Sequence, residues 1–532
     1  MPGMIVPWDS TDCGVGYLGM PLPKKSAAAG LPACSSAQLP ALPEEYASAQ
    51  LGDARRTQRL LALVERLAPA PGISFPLACR GAAELEGCYR LLNNPQVQWA
   101  DVLAPHMEQT LARCQAAAQK GQPLVVAHDT TNVRFVGSQA GVRTGLGTLN
   151  RGESGFEAHL ALACALPSPQ HVLAHPVGVV GLHPHVRPAR PKRTSAQQKK
   201  QSRARPRGER ESQMWQHLAH TVQQRCAEAG VADVVHVMDQ EADSFRLFHE
   251  LKHHGCAFVI RTHFNRRVDA GASQTAPAGL LHAALEASPV LLTREVSLGA
   301  TPAKWKGRTG GTPAKKQPAR QGRTAHLQVR ARSGLVLHAS EYSQRDEDVP
   351  STLTLNAVEV VEPHPPEGQQ AVRWVLLTTL PVDTPEAVAH VVDCYRARWS
   401  VEEFFKALKT GCALEKRQLM SLHALLNALA LLVPLAWRLL ALRTLAHQAP
   451  ATAASPLFGP DELALLRHLS VRVPLGPQPT CAEALLALAG LGGHLKHNGR
   501  PGWQTLARGQ DRLSTALEGW LAARAALSSV ES

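Results

Sequence analysis

No disulfide framework, zinc ribbon, N-terminal leader or internal repeat can be read in this sequence. Its 11 cysteines are scattered, odd in number and never paired as Cys-x-x-Cys, which argues against a secreted disulfide scaffold and fits a reducing cytosol. The histidines, among them His128, His183, His185, His253 and His254, lack the spacing of a zinc site. No apolar run follows a basic stretch in the manner of a signal peptide. The longest apolar stretch, Leu422 to Leu442, is interrupted by His423, Asn427, Pro434 and Arg438. It is expected to form a buried helix pair broken near Pro434, not a membrane span. Acidic residues are scarce, 43 against 56 Lys and Arg for a formal charge of +13, and that balance favours an anionic partner such as nucleic acid.

The 532 residues suffice for three or four domains. Residues 1–43 are rich in Gly, Pro, Ser and Ala without periodicity and are expected to be a disordered tail. Over 44–105 two short helices are expected, the first capped by Asp53, with Leu60, Leu61, Val64 and Leu67 on one side and Arg55, Arg56, Arg59 and Arg66 elsewhere. A basic helical pair of this kind suits a DNA-binding module, or an ordinary charged hairpin. Residues 106–262 read as a helix, a short buried strand ending in Asp129, two more strands of an antiparallel meander, a basic loop at 187–210, a helix and a strand ending at Asp239. A helix and the strand Ala257–Arg261 follow. Residues 263–372 read as a β-rich insertion, 373–420 as a strand and a helical stretch, and 421–532 as helical with Pro and Gly breaks.

The stretch Tyr395–Lys409 carries the densest chemistry. As one helix at about 100° per residue, it puts Tyr395, Arg398, Glu402, Lys406 and Lys409 within about 80° of one another. Val401, Phe404, Phe405 and Leu408 form the opposing apolar stripe, and Glu403 points about 100° away from Glu402. A solvated face with i,i+3 and i,i+4 ion pairs is the plain alternative. Two strand-end acids, Asp129 and Asp239, would come together on adjacent parallel strands, and Glu402 could join them. Three converging carboxylates repel unless they hold cations, so the set suits Mg2+ or Mn2+ bound through oxygen.

The order strand-Asp, meander, helix, strand-Asp, late helix-Glu is similar to the ribonuclease-H-like core of retroviral-type integrases and transposases. More specifically, Asp129-Thr130-Thr131, Asp239-Gln240-Glu241-Ala242-Asp243 and Tyr395-x-x-Arg398-x-x-x-Glu402-x-x-x-x-x-x-Lys409 resemble the signatures of insertion-sequence DDE transposases of the IS-four family, in the branch of the Tn-five transposase. The blocks Leu51-Gly52-Asp53 to Asn94-Pro95 and Pro501-Gly502-Trp503-x-Thr505-Leu506-x-Arg508-Gly509 resemble that branch's two ends. Gln240 departs from the pattern, standing where relatives commonly carry Arg.

The resemblance implies an α/β (α+β) protein with a ribonuclease-H-like catalytic core and a β-rich insertion, flanked by an N-terminal helical DNA-binding domain and a C-terminal helical dimerisation domain. It implies Asp129, Asp239 and Glu402 as the catalytic, metal-binding triad for Mg2+, with Mn2+ substituting. Tyr395, Arg398, Lys409 and Arg261 are implied as contacts to phosphates near the cleaved end, and Trp374 as a stacking platform for an extruded base, with a core tryptophan as the alternative. Arg55, Arg56 and Arg59 would contact double-stranded DNA. The activity implied is cut-and-paste transposition, cleavage and strand transfer at the element's terminal inverted repeats, by a homodimer in the cytoplasm, associated with the nucleoid and away from membranes. A non-catalytic or domesticated DNA-binding protein and a stand-alone ribonuclease-H-like nuclease are the other readings.

Overall fold

The computed structural model describes residues 42–135, 142–149, 153–166, 174–187, 212–270, 279–299, 304–305, 316–317, 321–340, 343, 348–448, 450–455, 458–495 and 501–530. The expected tail, apart from its last two residues, and the basic loop beyond Arg187 lie outside them. The chain divides into two compact units, one built from residues 36–261, 341–350 and 393–532, the other holding 262–340 and 351–392.

The larger unit begins with helices. Helix α1 (Ala54–Leu67) is capped by Asp53, whose side chain accepts the Arg55 N–H at 2.9 Å, as its sequence signature predicts. It buries Leu60, Leu63, Val64 and Leu67, so Leu63 takes the place expected of Leu61. Helix α2 (Ala82–Asn93) and the long α3 (Trp99–Gln119) follow.

Strand β1 (Leu124–Phe135) is twelve residues long and does not stop at Asp129. The antiparallel partner β2 (Ser154–Ala165) pairs with β1 along its whole length, and β3 (His175–His185) pairs with β2, which completes the meander. After helix α4 (Ser212–Glu228), strand β4 (Val234–Met238) runs parallel to β1. Helix α5 (Phe245–His253) leads to β5 (Ala257–Arg261), parallel to β4. This unit is a mixed α/β fold. The β1–β4 pairing ends at Ala127 with Val237 while β2 continues to guide β1, and the expected strand end at Asp129 is really the point where the parallel neighbour leaves.

The smaller unit contains strands β6 (Arg267–Ala270), β7 (Val290–Leu298), β8 (Arg323–His338), β9 (Thr352–Val361) and β10 (Arg373–Thr378). β8 pairs antiparallel with β6, β7 and β9, and β9 with β10. The runs His326–Val329 and Leu335–Ala339 belong to this one strand, with a register shift between Arg332 and Leu335. Helix α6 (Pro385–Ala397) starts in this unit, and its residues from Asp393 on belong to the larger one.

The stretch Tyr395–Lys409 is not one helix. It comprises the end of α6, helix α7 (Trp399–Lys406) and a π-helical turn at Ala407–Gly411. The apolar stripe behaves as expected, with Val401, Phe404, Phe405 and Leu408 all buried.

Beyond it, α8 (Leu422–Gln448) is a single helix straight through Pro434, which corrects the expected break. A proline inside a helix costs about 3 kcal/mol, and here the surroundings hold the helix together. Pro434 is buried, Asn427 Nδ2 donates to the carbonyls of Leu92 and Val97 at 2.9 and 3.0 Å, and Trp437 Nε1 donates to that of Pro176 at 3.0 Å. By length and composition α8 could cross a membrane, yet 78% of its most apolar window is buried inside the protein. Helices α9 (Pro460–Leu469), α10 (Cys481–Leu491) and α11 (Trp503–Val530) complete the unit.

Candidate active site

The register of β1 on β4 joins residues 110 positions apart, from Leu124 with Val234 to Ala127 with Val237. Carried two residues further, it sets Asp129 level with Asp239. Asp239 lies just past the end of β4 and caps the short turn Gln240–Ala242, its Oδ1 accepting the Glu241 N–H at 2.8 Å.

Asp129 is buried. Its Oδ1 accepts the Thr130 N–H at 2.8 Å and its Oδ2 accepts Arg398 Nη1 at 3.2 Å. The other guanidinium nitrogen of Arg398 donates to Glu402 Oε1. Arg398 therefore bridges two of the three acids, and it sits at the junction of α6 and α7 that presents it to both.

The electrostatics follow from this geometry. Burial raises the Asp129 carboxyl well above the carboxylate range, and Asp239, Glu402 and Glu241 add to the rise while Arg398 opposes it. For Arg398, burial works against the charge, but the fields of Tyr395, Glu402, Asp129 and Asp239 hold the guanidinium firmly protonated. The three sequence-predicted acids thus share one electrostatic environment.

Among the described residues, no group of three His, Cys, Asp or Glu side chains closes into a metal-ligand set. The three acids nonetheless fit a hard divalent cation in donor chemistry. All are oxygen ligands, and the like-charge field at Asp129 is of the kind that such an ion relieves. In the structure Arg398 supplies the counter-charge.

The phosphate-contact candidates divide. Tyr395 and Arg398 are buried, with the guanidinium 5.9 Å from the Tyr395 ring and 5.4 Å from that of Trp399. Lys409 is held in the π-helical turn, its Nζ donating to the Asn132 carbonyl at 2.6 Å and lying 3.5 Å from Glu415. Burial lowers its pKa, Glu415 counters this, and Arg134 adds to the lowering. Lys406, expected on the same face, turns instead to Glu403 at 2.7 Å. Arg261 ends β5, partly exposed. Trp374 lies in β10 opposite Val360, 5% exposed, so base stacking would require its side chain to be uncovered.

In the helical module, Arg55 is exposed and ion-paired with Asp53 at 2.9 Å. Arg56 donates to the Leu51 carbonyl at 2.9 Å, and Arg59 is exposed.

Sequence reasoning overlooked the opposite face of the sheet. His128, His159 and His236 are fully buried there, with His128 Nε2 2.8 Å from His236 Nδ1 and His159 Nδ1 2.9 Å from Thr130 Oγ1. The alternation of β1 side chains was the signal available for it.

Two segments of the chain match known families. Residues 40–97 match the family described as Transposase DNA-binding. Residues 201–437 match the Transposase DDE domain, a span that includes Asp239, Trp374, Arg398, Glu402 and Lys409 and begins after Asp129. Asp129 is tied to the other two acids by strand register and by Arg398.

Proposed function

We propose that this chain, a DNA transposase with a transposase DNA-binding domain and a DDE domain, moves its element by cut-and-paste, cleaving the terminal inverted repeats and joining them to a target. The observation that carries the reading is the shared charge environment of Asp129, Asp239 and Glu402, with Arg398 bridging two of them. In this reading the protein belongs to the IS-four family in the Tn-five-like branch, and its mixed α/β core is ribonuclease-H-like.

Asp129, Asp239 and Glu402 would hold Mg2+, or Mn2+ in its place. When bound, the ions activate a water or 3′-hydroxyl and offset charge on the leaving oxygen of an in-line phosphoryl transfer. The chain's own residues orient the DNA. Lys409 and Arg261 contact phosphates beside the cut, and Arg398, with Tyr395 against it, changes partner from carboxylates to phosphate as the end is engaged. Trp374 stacks on an extruded base once uncovered, a contact of about 1–3 kcal/mol. Arg55, Arg56 and Arg59 hold the outer part of the repeat. Each end is nicked, the freed 3′-hydroxyl attacks the opposite strand to give a hairpin, and hydrolysis of that hairpin precedes strand transfer. The ends are paired in a homodimer through the C-terminal helices, in the cytoplasm at the nucleoid.

Glu402→Gln tests the triad. On end DNA with Mg2+, cleavage should fall by on the order of 10²–10³-fold or more, the scale of losing one preorganised charge at a reacting centre. Cleavage at the wild-type rate would remove Glu402 from the site. A stand-alone nuclease would cut without ever giving a joined product, and a non-catalytic DNA-binding protein would shift end DNA in a gel without cutting it.

A further inference from the structure

Next to Glu402 stands a second carboxylate with a different set of partners. Glu403 is 8% exposed. Its Oε1 accepts Lys406 Nζ at 2.7 Å, and its Oε2 accepts both the Arg443 guanidinium of α8 and the Trp503 indole Nε1 at 2.8 Å. The guanidinium of Arg443 also lies over the Trp503 ring, 4.7 Å from its centre. Trp503 is the first residue of α11. One carboxylate therefore joins three helices that are 40 and 100 residues apart in the chain.

The position of this junction matters because α7 is only eight residues long and gives way to a π-helical turn. Adjacent side chains on a helix are fixed about 100° apart, so whatever holds Glu403 also sets the direction of Glu402. The same tryptophan lies beside the turn that carries Lys409. Gly411 of that turn faces both helices: a Cβ there would sit 2.9 Å from Leu439 Cδ1 and 3.9 Å from Trp503 Cε3.

We propose that Glu403 is a positioning residue for DNA cleavage, clamping α7 to the start of α11 through Trp503 and Arg443, so that docking of the C-terminal helix sets the aim of Glu402. The proposal rests on the reading of Glu402 as a cleavage residue. Trp503 thereby acquires a role in cleavage without touching DNA, since a shift of about 1 Å at a reacting group can cost on the order of 100-fold.

Two full-length variants test it. Trp503→Phe keeps an aromatic ring, though a smaller one, and removes the indole N–H, and Glu403→Gln keeps the shape and removes the charge. At saturating duplex carrying the terminal inverted repeat, each should lower the single-turnover cleavage rate about tenfold with the Kd for that duplex unchanged. The double variant should fall no further than the worse single one, because both break the same clamp. Amide hydrogen exchange across α7 should rise in both variants, while the middle of α8 keeps its protection. Wild-type cleavage by both variants, or losses that multiply, would overturn the proposal, as would unchanged exchange in α7. The exchange arm needs no activity. If the wild-type chain never cleaves end DNA, the assignment of Glu402 falls, and exchange still decides whether Trp503 clamps α7.

Discussion

The two faces of strand β1 bury ionisable groups in opposite ways. On one face Asp129, level with Asp239 and close to Glu402, is raised by burial and by like charge and is held by the cation Arg398. On the other face His128, His159 and His236 are buried among themselves, and burial lowers all three, His159 to about 3 and His236 to about 4. The histidine face resolves its conflict by staying neutral. On the carboxylate face burial and like charge work against the ionised form of Asp129 while Arg398 works for it, an arrangement that costs stability and suits a site meant to receive a cation.

The largest expected effect comes from removing Arg398, the cation that balances the carboxylate face. Arg398→Met leaves Asp129 and Glu402 without their bridge, and breaking a buried ion pair costs about 3–5 kcal/mol. Denaturant unfolding of the full chain measures the loss. The folded Asp129 carboxyl lies above its unfolded value, so protonation favours the folded state and the destabilising charge develops as pH rises. The gap between variant and wild type should therefore narrow from neutral to mildly acidic pH. A gap that widens would mean that Arg398 is not the counter-charge of Asp129.

The histidine face predicts the reverse slope. Above about 6.5 the rings are neutral in both states and contribute nothing. Below it the unfolded chain takes up protons that the folded one refuses until about 4 for His236 and about 3 for His159. Each ring then removes about 1.4 kcal/mol per pH unit as pH falls through that window. His159→Phe should flatten the slope by one proton. The new ring keeps the place beside Trp215, where the centroids are 4.4 Å apart, and leaves Thr130 Oγ1 without its 2.9 Å ring partner, a neutral-pH cost of about 1 kcal/mol. An unchanged slope would show that His159 titrates in the folded state.

A smaller effect of opposite sign is expected from Asp129→Asn. The neutral amide removes the like-charge conflict with Asp239 and Glu402, so the variant should gain about 0.5–2 kcal/mol at neutral pH, the usual range for relieving a functional site. End cleavage should be lost at the same time. A less stable variant would mean that the Arg398 pair outweighs the repulsion.

Much of this contrast could be read in the sequence. The strand Ala257–Arg261, the meander and the apolar stripe around α7 follow from periodicity, which local sequence encodes, whereas the choice of Asp129, Asp239 and Glu402 rests on the family resemblance. What was hidden depends on distant partners. β1 runs past Asp129 because β2 pairs with it as far as Phe135. α8 passes through Pro434 because contacts from Leu92, Val97 and Pro176 hold it. Lys406 turns to Glu403, which Arg443 and Trp503 also hold. Helical angle alone put Lys406 on the Glu402 face, and it could not show that Arg398 is buried with two carboxylate partners.

The smallest effects separate cations already committed within the fold from those at the surface. Lys409 is occupied by the Asn132 carbonyl and Glu415, whereas Arg55 has a side chain 87% exposed and pairs with the neighbouring Asp53. Arg55→Ala should change stability by no more than about 0.5 kcal/mol. If Arg55 meets one phosphate, the slope of log K for end DNA against log salt should fall by about 0.9. Lys409→Gln should show the same reduction in slope together with a measurable loss of stability, because the carbonyl of Asn132 and the carboxylate of Glu415 lose their shared cation. Equal slopes for wild type and Arg55→Ala would place Arg55 off the DNA. An unchanged slope for Lys409→Gln would make that lysine a strut between the π-helical turn and β1, leaving Arg398 and Arg261 as the phosphate contacts beside the acids.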